Sequence, residues 1–337
     1  MRVIDLHCDS VYSLARGKDL RLRNQDCHVD LPRLKEGGVG CQVFAAFVPS
    51  STKADGAFAF AGEKLDLIDA FARSAPEPEK GLPALTPVET AADIRAAMAA
   101  GKTGILAAVE NGLAIEDSLD KLERLRRRGV RILTLVHDEH HSWAASCTGS
   151  GRPPAGLSSF GRLVIDAMND LGILVDLSHA SESAFWDALE RSKKPVIASH
   201  SCCKSLCGAS RNLSNDQLKA LGEKGGLAGV NFYSAFLSET FRLAMERDPS
   251  TGEGSKAPEA PFSLIADHID HMVRIAGEDA VALGSDFDGI PSAPQGVTGC
   301  DMYPRLEAEL LSRGYTARRI EKIFSGNFLR VLEAWEA

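Results

Sequence analysis

The sequence has no apolar run approaching the roughly 18–20 residues that a membrane-spanning helix needs. Its first residues, Met1-Arg2-Val3-Ile4-Asp5, offer no apolar stretch with a small-residue cleavage site, so no export leader is expected. It lacks a basic excess: 38 Lys and Arg stand against 46 Asp and Glu, for a net charge of −8. Phosphate binding wants the opposite sign, which argues against a nucleic-acid partner. Eight cysteines are present, but none forms a CxxC pair. The local group Cys202, Cys203 and Cys207 therefore makes a poor zinc–thiolate site. With no leader, a reducing cytoplasmic setting and free thiols are expected. No internal repeat or long low-complexity run appears. Asp286-Phe287-Asp288-Gly289 lacks the third acid and the distal Glu of a calcium loop.

What the chain does have is length and rhythm. It holds 337 residues, 44% hydrophobic and 25% charged, an ordinary balance for a globular enzyme. Apolar runs recur at 3–9, 40–48, 103–110, 130–137, 173–179, 195–200, 227–232 and 280–286. Near-continuous apolar strands mark a sheet buried on both faces. Helical stretches separate most of them, as in βαβ units. Eight such units predict a single-domain TIM-type (β/α)8 barrel, which takes about 250 residues and tolerates insertions. A doubly wound open sheet is the alternative. Asp117 or Ser118, Ser181 and Thr316 are expected helix N-caps, the last opening a closing helix over 316–334, and Gly172 is an expected helix stop. Residues 50–81 form a long excursion with a helix over 56–74. Residues 249–261, rich in Pro, Gly, Ser and Glu, read as a surface loop.

The chemistry lies in how the apolar runs end. His7 and Asp9 end the first, Glu110 the third, His137 the fourth, His179 the fifth, His200 the sixth and Asp286 the eighth. Strand C-termini of a parallel barrel share one mouth, where the active sites of that fold lie. Any one such residue is more simply a hydrogen-bonded rim side chain. Six ends agreeing is another matter, because buried polar groups cost free energy unless paired or metal-bound. Histidine and carboxylate without thiolate suit a catalytic zinc site. His7 and Asp9, two apart on a strand, share a face. Glu110 can bridge two ions through its two oxygens, and His179 and His200 complete a second site.

These segments carry a resemblance: DLHCD at 5–9, AAVENG at 107–112, GVRILTLVH at 129–137 and LGILVDLSH at 171–179. PVIASHS at 195–201, SRNLS at 210–214, ADHIDH at 266–271 and GSDFDG at 284–289 continue it. In order and at compatible spacing, they resemble the membrane (renal) dipeptidase family of zinc metallopeptidases, within the amidohydrolase-like barrels. The resemblance implies two zinc ions per chain, bridged by Glu110 and a hydroxide. His7 and Asp9 would hold one ion, and His179 and His200 the other. It implies that Asp286 handles the proton, that His137 contacts the substrate carbonyl, and that Arg211 receives the terminal carboxylate of a dipeptide. A homodimer is also implied.

The chain departs from the family pattern in two places. The first motif usually reads Asp-Gly-His-Asn-Asp, and here Leu6 and Cys8 replace its second and fourth residues. After His137 comes Asp138-Glu139-His140-His141, which sets extra histidines near the mouth. Cys8 and Cys202 are expected close enough to the mouth to react with inhibitors. His268 and His271 read as helix-surface polarity or a buried hydrogen bond rather than a metal site. Two other readings remain. Another binuclear amidohydrolase-like hydrolase could act on a carboxylate-bearing amide, although such families usually carry His-x-His on the first strand. A non-catalytic scaffold is disfavoured by the intact ligands and Asp286.

Overall fold

The computed structural model describes residues 2–74, 81–151, 155–247 and 259–336. Among the described residues nine strands run β1 (Val3–Cys8), β2 (Val39–Phe47), β3 (Leu85–Pro87), β4 (Thr103–Glu110) and β5 (Ile132–Thr134). They continue with β6 (Leu174–Asp176), β7 (Ile197–Ala198), β8 (Leu227–Val230) and β9 (Val281–Leu283). Every pairing between them is parallel. β2 pairs with both β1 and β4, and β9 pairs with both β8 and β1. The eight strands β1, β2, β4, β5, β6, β7, β8 and β9 therefore close into a ring, and these are the eight apolar runs of the sequence. β3 is the addition. It pairs with the start of β4 (Leu85 opposite Thr103, Pro87 opposite Ile105), whereas β5 pairs with the end of β4, from Ala108 to Glu110. β3 thus sits outside the ring at its N-terminal end.

The ring strands are short but almost fully buried, because helices cover their outer faces and side chains fill the inside. Those helices begin where the sequence offers a cap. Ser118, Ser158, Ser181, Ser214 and Thr316 each accept a hydrogen bond from the backbone N–H three residues on. Each such cap is worth about 1 kcal/mol. The helix Ser159–Leu171 ends at Gly172, whose left-handed φ of 69° a side chain would strain. The expected closing helix is interrupted: Ala317–Glu321 and Asn327–Glu336 flank a π-helical turn, Lys322–Gly326. That turn lets the Asn327 amide bond the carbonyls of Glu278 (2.7 Å) and Val281 (2.8 Å), tying the helix to the start of β9. The excursion after β2 contains the helix Ala57–Ala72. The stretch expected as a surface loop, 249–261, lies almost wholly outside the described residues. Among the described residues no helix is long and apolar enough to cross a membrane.

Inside the barrel, backbones approach closely on one side. A Cβ at Gly229 or Gly284 would lie 2.1 or 1.7 Å from the carbonyl oxygen of Ser199. Only glycine fits at either position, and the peptide before His200 is held between them.

Candidate metal centre

Every strand end singled out in the sequence reaches the same mouth. His7 lies on the last turn of β1 with Asp9 just past it. Glu110 ends β4, while His137, His179, His200 and Asp286 each follow the end of β5, β6, β7 and β9 within three residues. His7, Asp9, Glu110, His179 and His200 are all buried. Arg211, from the loop after β7, is buried beside them.

Glu110 sits at the centre. Its Oε2 is 3.4 Å from His7 Nε2, whereas its Oε1 is 3.1 Å from His179 Nε2, 3.4 Å from His200 Nε2 and 3.9 Å from His137 Nε2. One carboxylate thus offers each of its oxygens to a different set of nitrogens. His7 Nε2 is also 3.6 Å from Asp9 Oδ2 and 3.9 Å from Asp286 Oδ1. Ligand atoms of His7, Asp9 and Glu110 lie within 4.8 Å of one another, as do those of His7, His200 and Asp286, and of Glu110, His137 and His179.

These atoms fit metal ions better than they fit one another. His7 Nε2 and Asp9 Oδ1 are buried without a hydrogen-bond partner, which native interiors rarely tolerate. The Nε2 atoms of His179 and His200 face each other at 3.0 Å. Two nitrogens on one tetrahedral zinc, each at about 2.0–2.1 Å, would stand about 3.3 Å apart. Burial and the Arg211 charge hold His179 well below its ordinary pKa, and burial with the His7 charge pushes His200 down to about 3. Both imidazoles are therefore neutral, the form that binds metal. Glu110, despite its burial, is held well below the usual carboxylate range by His7 and His137.

Asp286 stands at the edge of the group. Its Oδ2 accepts from the Asn231 amide at 2.8 Å, which leaves Oδ1 facing His7. Burial pushes its carboxyl up to about 7; His7 opposes the shift and the charges of Asp9 and Glu110 add to it. Cations bound beside it would draw it down again. His137 packs between the rings of Phe47 (4.3 Å) and His179 (4.1 Å), with Nδ1 2.7 Å from Asp138. Burial lowers its pKa, but Glu110 and Asp138 more than offset that and the net shift is upward.

A cavity of about 390 Å³ opens over this group, lined among others by Tyr12, Arg16, His137, Arg211, Tyr233 and Asp288. That is the lower end of the range for small-ligand pockets. Arg211 donates to the His200 carbonyl at 3.3 Å and lies 5.5 Å from the Phe236 ring centre. Among the described residues no carboxylate pairs with it. Six non-glycine residues among those described have a left-handed φ, and four of them, Asn111, His179, Asp286 and Asp288, are at or next to the site. Such conformations cost about 1–3 kcal/mol each and gather at functional sites.

Some expectations fail. Cys8 and Cys202 are fully buried, with burial pushing both thiols well up, so neither presents a thiolate to the mouth. All eight cysteines are free. His140 and His141 turn away from the cavity: His140 Nδ1 accepts from the Ser146 N–H, and His141 bonds the Leu135 carbonyl and packs on Trp143. The sequence reading also passed over Asn231 and Tyr233, which follow β8. A polar residue at that strand end was the available signal. His268 and His271 bind backbone and Asn215 rather than a metal.

A parallel barrel whose mouth gathers buried imidazoles around one two-faced carboxylate belongs to the class of metal-centred barrels. The chain is a member of the membrane dipeptidase family, peptidase family M19, whose model matches residues 1–337. It is 34% identical over 324 residues to dipeptidase 3 of Mus musculus, covering 95% of this chain but 60% of that protein. The chain thus spans about three fifths of the length of that relative. A solved dipeptidase AC of family M19 superposes over 100% of this chain and 99% of its own, with TM-score 0.85 and 29% identity. A Rhodobacter sphaeroides metallopeptidase, solved with a phosphinate mimic of the dipeptide L-Ala-D-Ala, matches over 99% of both chains with TM-score 0.83 and 28% identity.

Proposed function

We propose that residues 1–337 form one two-zinc dipeptidase domain that hydrolyses the peptide bond of free dipeptides and accepts a D-residue at the second position. The observation that carries this reading is the division of Glu110, with Oε2 toward His7 and Oε1 toward His179 and His200. His7 and Asp9 would hold one ion, His179 and His200 the other, and Glu110 both. When bound, such a pair supplies a water acidified from 15.7 to about 7 and a Lewis acid for the scissile carbonyl.

The protein's own groups do the rest. Arg211 receives the substrate's terminal carboxylate, since a guanidinium fork fits that anion and, among the described residues, no carboxylate occupies it. Asp286, as the ionised carboxylate, takes a proton from the attacking water at Oδ1, holds it there and returns it to the leaving amine nitrogen. Asn231 fixes Oδ2 and so aims Oδ1. His137, drawn toward its protonated form by Glu110 and Asp138, donates Nε2–H to the oxygen that gains negative charge. The D-residue is supported by the ligand of the Rhodobacter sphaeroides relative.

The test combines elemental analysis with a dipeptide panel that pairs L-Xaa-L-Xaa and L-Xaa-D-Xaa members. Two zinc ions per chain and turnover of free dipeptides are expected. Full activity after exhaustive chelation, with no transition metal in the protein, would refute the reading.

A further inference from the structure

Below the metal centre, away from the substrate cavity, two carboxylates are buried inside the barrel. Asp5 on β1 and Asp176 on β6 are both 0% exposed. Among the described residues neither has a Lys or Arg partner. A buried carboxylate without a cation is costly unless hydrogen bonds satisfy it. Asp176 accepts from Ser178 N (3.1 Å), Ser199 N (2.8 Å), Ser199 Oγ (2.6 Å) and Thr134 Oγ1 (2.6 Å). Asp5 accepts from His7 N (3.4 Å), Ser285 N (2.8 Å) and Ser285 Oγ (2.6 Å). The two arrangements repeat each other. Each acid takes the N–H two residues ahead along its own chain, and both the N–H and the hydroxyl of a serine just past the neighbouring strand.

The residues they hold are those that set the site. Ser178 precedes His179, Ser199 precedes His200 and Ser285 precedes Asp286, while His7 is held by its own N–H. His179 and Asp286 have left-handed φ values of 69° and 63°. Each follows directly on a serine whose N–H is fixed by a buried acid, so the anchoring lies where the backbone strain must be held.

Ser199 does more. Its hydroxyl has one proton and donates it to Asp176 Oδ2, so toward His200 Nδ1, at 2.7 Å, it can only accept. His200 therefore carries its proton on Nδ1 and keeps the lone pair on Nε2, the atom that faces His179 and Glu110. The Ser178 hydroxyl also accepts from the His200 N–H at 3.0 Å.

We propose that Asp5 and Asp176 are positioning residues of the metal centre, one for each half: Asp176 fixes His179 and His200, and Asp5 fixes His7 and Asp286. This rests on the two-metal reading above. Outer partners of metal-bound histidines typically change metal affinity by 10–100-fold. A purely architectural acid, joining strands, would change stability and leave metal affinity alone.

The full chain and its Asp176→Asn, Ser199→Ala, Asp5→Asn and Ser285→Ala variants would be loaded with zinc and dialysed against graded free zinc in a metal buffer. Zinc per chain is then counted by elemental analysis, and the visible spectrum of the cobalt-loaded form reports ligand geometry. Asp176→Asn is expected to release one ion at 10–100-fold higher free zinc than the parent while retaining the other with parental affinity. Asp5→Asn should do the same for the other ion, and the two cobalt spectra should differ. The serine variants keep the carboxylates and serve if an Asp→Asn chain fails to fold; Ser199→Ala should weaken the same ion as Asp176→Asn. Parental affinity for both ions in the variants, whatever the change in Tm, would overturn the proposal, as would equal weakening of both ions. A parent chain holding fewer than two ions overturns the two-metal reading, and this proposal with it.

Discussion

Replacing Arg211 by alanine removes the buried cation proposed to receive the substrate carboxylate. The residue is 7% exposed, and its guanidinium spends one N–H on the His200 carbonyl, which leaves donors free for an incoming anion. A buried, hydrogen-bonded charge pair loses about 2–5 kcal/mol when one partner is truncated. At 1.4 kcal/mol per tenfold, kcat/KM for a free dipeptide should fall by roughly 30- to 4,000-fold. A dipeptide amide has no anion to lose, so its much lower kcat/KM should change little. The assay is therefore a four-way comparison, parent and Arg211→Ala against a dipeptide and its amide, read as the ratio of ratios. Arg211→Lys is a useful companion: it keeps the charge but not the planar fork, and should recover part of the discrimination. Because Arg211 also touches the His200 backbone, zinc content is measured for each variant. If the parent cleaves dipeptide and amide equally well, or Arg211→Ala keeps the parent's preference at full zinc content, the assignment of Arg211 is wrong.

Glu110→Gln preserves shape but removes the charge shared by the two sides of the centre; loss of bound zinc and of turnover, with a native circular dichroism spectrum, is expected. Asp286→Asn should keep its zinc and lose about 10²–10⁴-fold in kcat, the usual worth of a general acid–base group; a loss confined to KM would make it a binding residue instead. His268 predicts an acid-sensitive stability. Its Nδ1 accepts from the Cys203 N–H and its Nε2 donates to the Leu237 carbonyl, so the buried ring is held neutral, and burial pushes its pKa down from 6.5 to about 4. Between those values the unfolded chain takes up a proton that the native ring refuses, so stability is lost as pH falls from 6.5 to 4, by up to about 3 kcal/mol. Urea unfolding at pH 7 and pH 4.5 should show that slope, and His268→Gln should flatten it.

The eight ring strands were legible because each is an apolar run, several of them rich in β-branched residues, with helical stretches separating most of them. β3 was not, since Leu85–Pro87 is three residues long, ends in proline and makes one short pairing. The π turn at Lys322–Gly326 has no sequence signature; the demand for it comes from β9, which lies elsewhere in the chain. At the site, charge-bearing strand ends were conspicuous, and the structure gathers all of them. Asn231 was passed over because an amide does not titrate, although its grip on Asp286 is what orients that acid. Asp5 and Asp176 were hidden differently. Each lies within its strand and looks like a stray polar residue until the neighbouring serine, 280 or 23 residues away in sequence, is beside it. The inhibitor-accessible positions of Cys8 and Cys202 were misjudged because nearness to the mouth in sequence says nothing about which face a short side chain takes.

The ring is joined where β1 meets β9, the first strand against the last, and that seam has a consequence for how the protein is born. β1, which carries His7, is made before the other ring strands, yet its Asp5 accepts from Ser285, 280 residues later. A chain still in synthesis has an open-sided sheet whose two exposed strands, β1 and β8, await β9. Contacts of such separation form late and slowly, and unpaired strand edges invite the wrong partner. The centre between His7 and His200 is completed only when that seam closes. On the proposed two-metal reading, metal loading would then report on finished folding: a chain stalled before β9 already carries His7, Asp9, Glu110, His179 and His200 but not the strand that braces β1.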